Sequence, residues 1–330
     1  MATDFQSGVL NVIAAVGLLC MQPAHAQPSA SADFPSKPIT IVVPYTPTSG
    51  ADVVARVVGP RMTRRLGQPI VVDNRPGASG TIGTGAVVRA AADGHTLLMS
   101  ADTITMIPAL YRKLPFSPAK DLIPIGRAAT GTLALVVNPS LPASSVAELI
   151  ALAKKKPGRY TYASPGIGTP QHISMELFRQ SSGIDLLHVA YKGMANALTD
   201  LVGGQVDAAF VSLNVVMPHI ATGRVRLLAI ADNKRSPLAP SVPTFREAGF
   251  AELSQPSWVG LFAPAGTPPA VVDKLYGALS EALREPEVQA SLQQQGLRVS
   301  MASPAELAKE MQQDLARWKQ VITAAGISAE

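Results

Sequence analysis

Short, nearly continuous apolar runs alternate along this chain with stretches of helical periodicity. A strand that is apolar on both faces is typical of a parallel sheet covered by helices on both sides. The pattern therefore predicts an α/β fold. The predicted strands are residues 39–43, 70–72, 96–99, 133–137, 160–163, 186–189, 208–211, 227–230 and 258–262.

The stretches between these runs carry signals for the start of a helix. Ser145 and Ser303 are each followed three residues later by glutamate, which is the spacing of a capping box. The helix predicted after Ser303 carries an apolar stripe formed by Leu307, Met311, Leu315, Trp318 and Ile322. We therefore expect a long C-terminal helix with one buried face.

Length and composition favour two lobes. The chain has 330 residues, of which 47% are hydrophobic, so it can bury a sizeable core. About ten strands are more than one small sheet needs, and two α/β lobes fit the length better. We expect residues 37–128 to begin the first lobe and residues 129–233 to form the second. Residues 234–330 are expected to return to the first lobe and to add the C-terminal helices.

The N-terminal segment differs from the rest of the chain. Residues 9–19 are apolar, and Ala24-His25-Ala26 has the small-x-small form of a signal peptidase site. We therefore expect residues 1–26 to be a signal peptide, residues 27–36 to be a linker, and the chain to be exported. One feature disagrees, because the segment carries Asp4 and no lysine or arginine.

Cysteine and histidine usage bounds the chemistry. Cys20 is the single cysteine and lies in the predicted signal peptide, so we expect a mature chain without disulfides or a cysteine nucleophile. The histidines at 95, 172, 188 and 219 show no metal-ligand spacing. We predict neither a metal site nor a cofactor. Aromatic residues are only 5% of the chain and its net charge of +5 is scattered, which argues against a nucleic-acid partner.

Two loops between a predicted strand and a predicted helix are candidates for a binding site. The first runs from residue 44 to 52, and the second, from 164 to 172, reads S-P-G-I-G-T-P-Q-H. Ligands of open parallel sheets lie beyond the carboxyl ends of the strands, where such loops are found. Unpaired N–H groups and the helix dipole can hold a carboxylate or a phosphate there without lysine or arginine.

We predict that the Gly168 N–H, Thr169 and Ser164 grip such an anion, and that His172 faces the same cleft. The alternative is that Thr169 is an ordinary N-cap and that the glycines only form a turn. The loop sequence alone favours neither reading. The glycine-rich residues 77–85 lack the Gly-Lys-Ser/Thr ending of a phosphate loop, so we interpret them as a turn and a helix-packing segment.

Several longer stretches, in the same order, resemble a known family. They include F-P-S-K-P-I-T-I-V-V-P-Y at 34–45, N-R-P-G-A-S-G-T-I-G at 74–83, Y-A-S-P-G-I-G-T-P-Q-H at 162–172 and G-L-F-A-P-A-G-T-P at 260–268. From about residue 34 to residue 327 the chain is similar to the periplasmic solute-binding receptors of the tripartite tricarboxylate transporters, also called Bug-type receptors.

The resemblance implies a two-lobed, type II "Venus flytrap" α/β fold with mainly parallel sheets flanked by helices. It also implies a periplasmic monomer that binds a small organic acid and delivers it to the membrane permease subunits of a tripartite transporter. The residues expected to bind or line the ligand are Tyr45, Thr48, Ser49, Gly50 and Ala101 in the first lobe, and Ser164, Gly168, Thr169, His172, Tyr191 and Ser212 in the second.

Two positions depart from the family's usual sequence. The first loop commonly carries Pro-Gly-Gly, whereas residues 47–50 here are Pro-Thr-Ser-Gly, and Met194 stands where the family favours glycine or proline. Two other functions stay open. An exported hydrolase or lyase would need a nucleophile beside a base, or a metal, and no such spacing is recognisable. A sensory receptor for a membrane signalling protein is not separated from a transport receptor by the sequence.

Overall fold

The predicted apolar runs all form strands in the computed structural model, which describes residues 34–254 and 256–328. The strands are β1 (Ile39–Val43), β2 (Ile70–Asn74), β3 (Thr96–Ala101), β4 (Leu122–Gly131), β5 (Leu133–Val137), β6 (Thr161–Ser164), β7 (Leu187–Ala190), β8 (Ala208–Ser212), β9 (Arg226–Ala231), β10 (Ser257–Pro264) and β11 (Leu297–Ala302). The predicted signal peptide and most of the predicted linker lie outside the described residues.

The helices follow most of the strands. They are α1 (Gly50–Leu66), α2 (Thr81–Val88), α3 (Thr103–Leu110), α4 (Pro118–Asp121), α5 (Val146–Lys155), α6 (Pro170–Ser182), α7 (Met194–Val202), α8 (Leu213–Ala221), α9 (Pro269–Arg284), α10 (Pro286–Gln294) and α11 (Pro304–Ala324). Ser303 and Glu306 form a complete capping box at the start of α11, and Ser145 caps α5 by accepting from the Glu148 N–H. Within the described ranges no helix is long and apolar enough to cross a membrane.

The strands form two sheets, and each sheet is the centre of one lobe. Sheet A has the order β11-β4-β10-β3-β1-β2, and sheet B has the order β7-β6-β8-β5-β9. The sheets are mixed: β10 and β11 in sheet A and β5 in sheet B run against the other strands, so most strands of each sheet point the same way, as expected. β10 runs antiparallel to both β3 and β4, and β5 runs antiparallel to both β8 and β9, because the chain enters each sheet from the other lobe at these strands.

The strands β4 and β11 were not predicted. β4 contains Pro124, Gly126 and Arg127, which interrupt its apolar pattern, and β11 is an edge strand with exposed positions at Arg298 and Met301. Neither segment reads as a continuous apolar run, although both pair with neighbours in sheet A. Their strand state depends on tertiary pairing more than on local sequence.

The return from the second lobe comes later in the chain than we expected. Phe245 and Leu253 pack in the same buried cluster as the strands of sheet B, and the Phe245 N–H donates to the Ile230 carbonyl at 3.0 Å. The segment after residue 233 therefore still covers sheet B. The chain re-enters sheet A at Ser257, the first residue of β10.

The C-terminal helix spans both lobes. Leu307 and Met311 pack in a cluster with residues of sheet A, whereas Trp318 and Ile322 pack in the cluster of sheet B. The predicted stripe is buried, apart from Leu315, which is partly buried. α11 thus ties the two lobes together.

Candidate functional site

The two predicted loops belong to different lobes, and the turn after β2 contacts both of them. Loop 1 (residues 44–49) connects β1 to α1, and loop 2 (residues 165–169) connects β6 to α6. The turn after β2 packs beside Tyr45 of loop 1, and its Ser79 hydroxyl donates to the Ile167 carbonyl of loop 2 at 3.1 Å. The loops at the carboxyl ends of β1 and β6 are therefore linked through this turn, and each loop leads into a helix N-terminus.

Loop 1 is folded around a buried carboxylate. Thr48 has a left-handed backbone (φ 67°), and its N–H donates to Asp52 Oδ2 at 2.9 Å. The Asp52 side chain also accepts from Arg56 Nε at 2.9 and 3.0 Å and from Asn74 Nδ2 at 2.9 Å. Ser49 is the N-cap of α1, and its Oγ accepts from the Asp52 N–H at 3.4 Å.

These contacts set the charge of Asp52. Asp52 is only 2% exposed, and this burial alone would raise the pKa of its carboxyl. Hydrogen bonds from Arg56, the Thr48 N–H and Asn74 outweigh that effect, so the pKa of Asp52 lies below its ordinary value. Asp52 is therefore ionised at neutral pH, and Arg56 neutralises it.

Loop 2 repeats this construction with different chemistry. Gly168 is left-handed (φ 76°), and its N–H donates to His172 Nδ1 at 3.2 Å. Thr169 is the N-cap of α6, and its Oγ1 accepts from the His172 N–H at 3.4 Å. In both loops, the third residue of the helix accepts a hydrogen bond from the N–H of the residue before the N-cap. The acceptor is a carboxylate in loop 1 and an imidazole in loop 2.

This arrangement leaves some backbone N–H groups at the helix starts without an acceptor. Within residues 34–254 and 256–328, no group accepts from the N–H of Gly50, Ala51 or Gln171, which are the first positions of α1 and α6. Pro170 has no N–H to offer. The Gly168 N–H, which we predicted to grip the anion, is instead bonded to His172, because that ring lies directly beneath the turn. Thr169 is the N-cap of α6, as the alternative interpretation of this loop expected.

Stacked aromatic rings support loop 2 from below. Ser164 is fully buried, and its Oγ lies 2.7 Å from His188 Nε2. The His188 ring stacks on His172, with centroids 4.2 Å apart, and on Tyr162, with centroids 4.7 Å apart. The Tyr162 hydroxyl donates to Glu176. Both imidazoles that hold loop 2 thus belong to one stack, in which His172 and Tyr162 are buried.

Comparison with known proteins establishes the family. A model described as the tripartite tricarboxylate transporter family receptor matches residues 54–327. Protein BugT of Bordetella pertussis is 34% identical over 317 residues, which are 96% of this chain and 97% of BugT. This chain belongs to the tripartite tricarboxylate transporter receptor family.

Two solved structures of similar receptors share its fold. MatC from Rhodopseudomonas palustris, solved with bound malate, is 33% identical with a TM-score of 0.79, and 88% of this chain and 100% of MatC are covered. An R. palustris protein solved with adipate is 34% identical with a TM-score of 0.81, covering 90% of this chain and 99% of that one. The predicted family and two-lobed fold are confirmed.

The remaining predicted site residues of the receptor also lie at strand ends. The Tyr45 hydroxyl pairs with Ser100 Oγ at 3.0 Å, just before Ala101 at the end of β3, and burial raises the pKa of Tyr45. The Tyr191 N–H donates to the Ser164 carbonyl at 2.9 Å, while its hydroxyl donates to Asp200 at 2.7 Å. Ser212 ends β8 and is the N-cap residue of α8.

Residues that sequence reasoning did not select make contacts between the two lobes of the receptor. Ser79 accepts from the Tyr111 hydroxyl at 3.2 Å while donating to Ile167, so the turn we read as helix packing contacts both lobes. Asn214 at the start of α8 donates to the Gln295 carbonyl across the lobes. Its side chain fills the space beside Gly296, where an added Cβ would lie 2.0 Å from Asn214 Cγ. The glycine-rich sequence at 77–80 was the one available signal for the first contact.

Asp102 is a second buried acid near the predicted site residues of the receptor. It follows Ala101, and Ser257 Oγ donates to its Oδ1 at 2.8 Å. Burial raises the pKa of Asp102 to about 7, and the nearby Asp314 adds to the rise. In the part of the chain that the structure describes, no group of three or more metal-ligating side chains is placed to hold a metal ion.

Proposed function

We propose that this chain is a periplasmic receptor that binds a small organic acid between α1 and α6 and delivers it to a membrane permease. One observation carries the proposal. The N–H groups of Gly50 and Ala51 at the start of α1 in one lobe, and of Gln171 at the start of α6 in the other, have no acceptor among the described residues. Two helix dipoles and several unpaired amides favour a carboxylate there.

The cationic side chain of Arg56, next to loop 1, already donates hydrogen bonds to other residues. Arg56 donates to Asp52 and, through Nη2, to Asn74 Oδ1 at 2.8 Å. Arg56 is therefore not free to bind the proposed anion, and we assign that anion to the backbone amides. The relatives solved with malate and with adipate support a carboxylate ligand, since both are small dicarboxylates.

A ligand panel tests the binding role. The purified protein is heated with malate, citrate, adipate, glutamate or benzoate, and the acids that raise the melting temperature are titrated by calorimetry. A true ligand at about 100 times its Kd adds about 2.7 kcal/mol to the stability. If no acid raises the melting temperature and none titrates, the proposal fails.

A pair of substitutions at Gly50 tests the amide donors. Gly50→Pro removes one proposed donor, and proline is well tolerated at the first position of a helix, as Pro170 shows in α6. Ser49 already has the extended backbone that a following proline requires (ψ 157°). We expect Gly50→Pro to bind about tenfold more weakly than Gly50→Ala, which keeps the N–H. Equal affinities would remove the Gly50 N–H from the site.

A hydrolase would be a second candidate because Ser164 and His188 are within hydrogen-bond distance. Ser164 is fully buried, however, and its Oγ also lies 3.2 Å from both the N–H and the carbonyl of Gly166. These contacts fit a role in shaping loop 2 rather than attack on a substrate. We expect no turnover of a bound acid by the parent protein; turnover that is lost in Ser164→Ala would favour the enzyme instead.

A further inference from the structure

The imidazole of His172 fixes the conformation of loop 2. The residue is 5% exposed, and its Nδ1 accepts from the Gly168 N–H at 3.2 Å. An acceptor nitrogen carries no proton, so the ring in this arrangement is neutral with its hydrogen on Nε2. Gly168 and Thr169 are the last residues before α6, and their position decides where the first amides of that helix point.

Four titratable or charged groups surround this ring. His188 stacks on it from β7, and Tyr162 lies beyond, from β6, with its centroid 6.3 Å away. Glu176 and Arg179 lie further along α6 and pair with each other at 2.7 Å. Burial and the neighbouring His188 lower the pKa of His172 to about 4, although Glu176 acts in the opposite direction.

We propose that His172 is a positioning residue of loop 2, which holds the Gly168 N–H only while its ring is neutral and thereby aims the Gln171 N–H into the cleft. This inference rests on the proposed function. It changes the role expected for His172, from a residue that contacts the ligand to one that acts through its neighbours. It also makes the binding affinity of the receptor dependent on the protonation of one buried ring.

Protonation affects the two histidines of the stack differently. A protonated His172 would turn an Nδ1–H towards the Gly168 N–H, so two donors would face each other and the turn would open. A protonated His188 could still donate to Ser164 Oγ, because the serine hydroxyl can turn to the Gly166 carbonyl at 3.2 Å. His172 is therefore the ring whose charge loop 2 cannot tolerate.

Two substitutions separate the acceptor from the ring. His172→Phe keeps a flat ring for the stack but has no acceptor, whereas His172→Asn loses the ring but can place an oxygen where Nδ1 was. With the panel acid that binds the parent most tightly, we expect His172→Phe to bind about tenfold more weakly, and His172→Asn to retain more of the affinity. A His172→Phe variant that binds as tightly as the parent would overturn the proposal.

Hydrogen exchange gives a readout that needs no ligand. The Gly168 amide should be protected in the parent and in His172→Asn, and should exchange faster in His172→Phe. Protection that is equal in all three proteins would contradict the proposal, even if no acid binds. A protected Gly168 amide in a parent that binds no acid would instead refute the proposed function and leave the positioning role intact.

The pH profile supplies the third readout. Because the pKa of His172 is lower when folded than when unfolded, the unfolded chain binds more protons between about pH 6.5 and pH 4, and stability falls as the pH drops through that window. The ratio of parent to His172→Asn affinity cancels protonation of the acid itself. We expect that ratio to fall towards pH 4, and a constant ratio would overturn the proposal.

Discussion

Loop 1 and loop 2 have the same hydrogen-bond pattern, but a charged acceptor holds one loop and a neutral acceptor holds the other. In each, a left-handed residue donates to the side chain of the third helical residue, and an N-cap hydroxyl accepts from that residue's own N–H. Even the preceding turns match, since the Ser49 N–H and the Thr169 N–H each donate to the carbonyl three residues earlier at 3.3 Å. Loop 1 is held by an ionised carboxylate, and loop 2 is held by a neutral imidazole.

The difference shows how a helix start can be rigid without repelling an anion. A carboxylate behind loop 1 would oppose a negative ligand, and Arg56 and Asn74 offset it by donating to the same oxygens. The imidazole behind loop 2 carries no charge while its pKa stays low, so it needs no counter-ion. In each loop the N–H groups of the N-cap, of the residue before it and of the third helical residue are all bonded internally, which leaves the first helical amides free.

Removing the carboxylate should have the largest effect. Asp52→Ala deletes the acceptor of the Thr48 N–H and leaves Arg56 and Asn74 without their shared partner. We expect it to lower the free energy of unfolding by about 3 kcal/mol, towards the low end for a broken buried pair because Arg56 is half exposed. Urea denaturation measures the change.

The matched control is Asp73→Ala. Asp73 also pairs with an arginine, Arg75 at 2.7 Å, but both side chains are substantially exposed. We expect a change within about 0.5 kcal/mol. Equal losses at Asp52 and Asp73 would show that loop 1 does not depend on its buried acceptor.

Gly168→Ala tests the close packing of loop 2. An added Cβ would lie 2.5 Å from Leu110 Cδ1, and Leu110 is buried. Gly183→Ala is the control, since Gly183 is also left-handed (φ 66°) and has nothing within 4 Å of the new Cβ. We expect Gly168→Ala to destabilise the protein by about 1 to 2 kcal/mol more than Gly183→Ala. Equal thermal unfolding shifts would mean that Leu110 moves aside without loss.

Substitutions at the two N-caps, Ser49 and Thr169, should change the stability by less than the preceding substitutions. Ser49→Ala loses one acceptor, whereas Thr169→Val loses an acceptor and also the bond from its hydroxyl to the Gly166 carbonyl at 2.7 Å. We expect a loss of about 1 kcal/mol for Ser49→Ala and a somewhat larger loss for Thr169→Val, measured by denaturation. Thr169→Ser keeps both bonds and should restore most of the stability. A Thr169→Val variant as stable as the parent would show that α6 does not need its cap.

The sequence predicted the parts of the site that depend on local pattern. The two loops, their N-caps and the helices behind them follow from small and hydroxyl residues between an apolar run and a helical stripe. The side chains from other elements that bond to these loops could not be predicted from the sequence. His188 meets Ser164 from another strand, and Asn74 reaches Asp52 across two elements, so only tertiary packing brings them together. The place of Asp52 in the first turn of α1 follows from the sequence, but its bonds to Arg56 and Asn74 do not.

Each loop has one residue with a left-handed backbone, and a substitution there gives the smallest expected change in stability. It also tests whether the two loops differ in backbone strain. Loop 2 has Gly168 there, whereas loop 1 has Thr48. A left-handed backbone costs a non-glycine residue about 1 to 2 kcal/mol, and glycine costs about 0.5 to 1 kcal/mol through its extra freedom in the unfolded chain. Thr48→Gly should therefore raise the stability slightly, by about 0.5 kcal/mol.

The control for Thr48→Gly is the same substitution two residues earlier. Thr46 is exposed and does not have a positive φ, so Thr46→Gly brings the entropy of glycine without relieving strain, and we expect it to lower the stability by about 0.5 kcal/mol. Opposite signs for the two variants in urea denaturation would show that Thr48 is strained. Equal losses would mean that the Asp52 acceptor holds threonine in this conformation without strain, and that the two loops differ in charge alone.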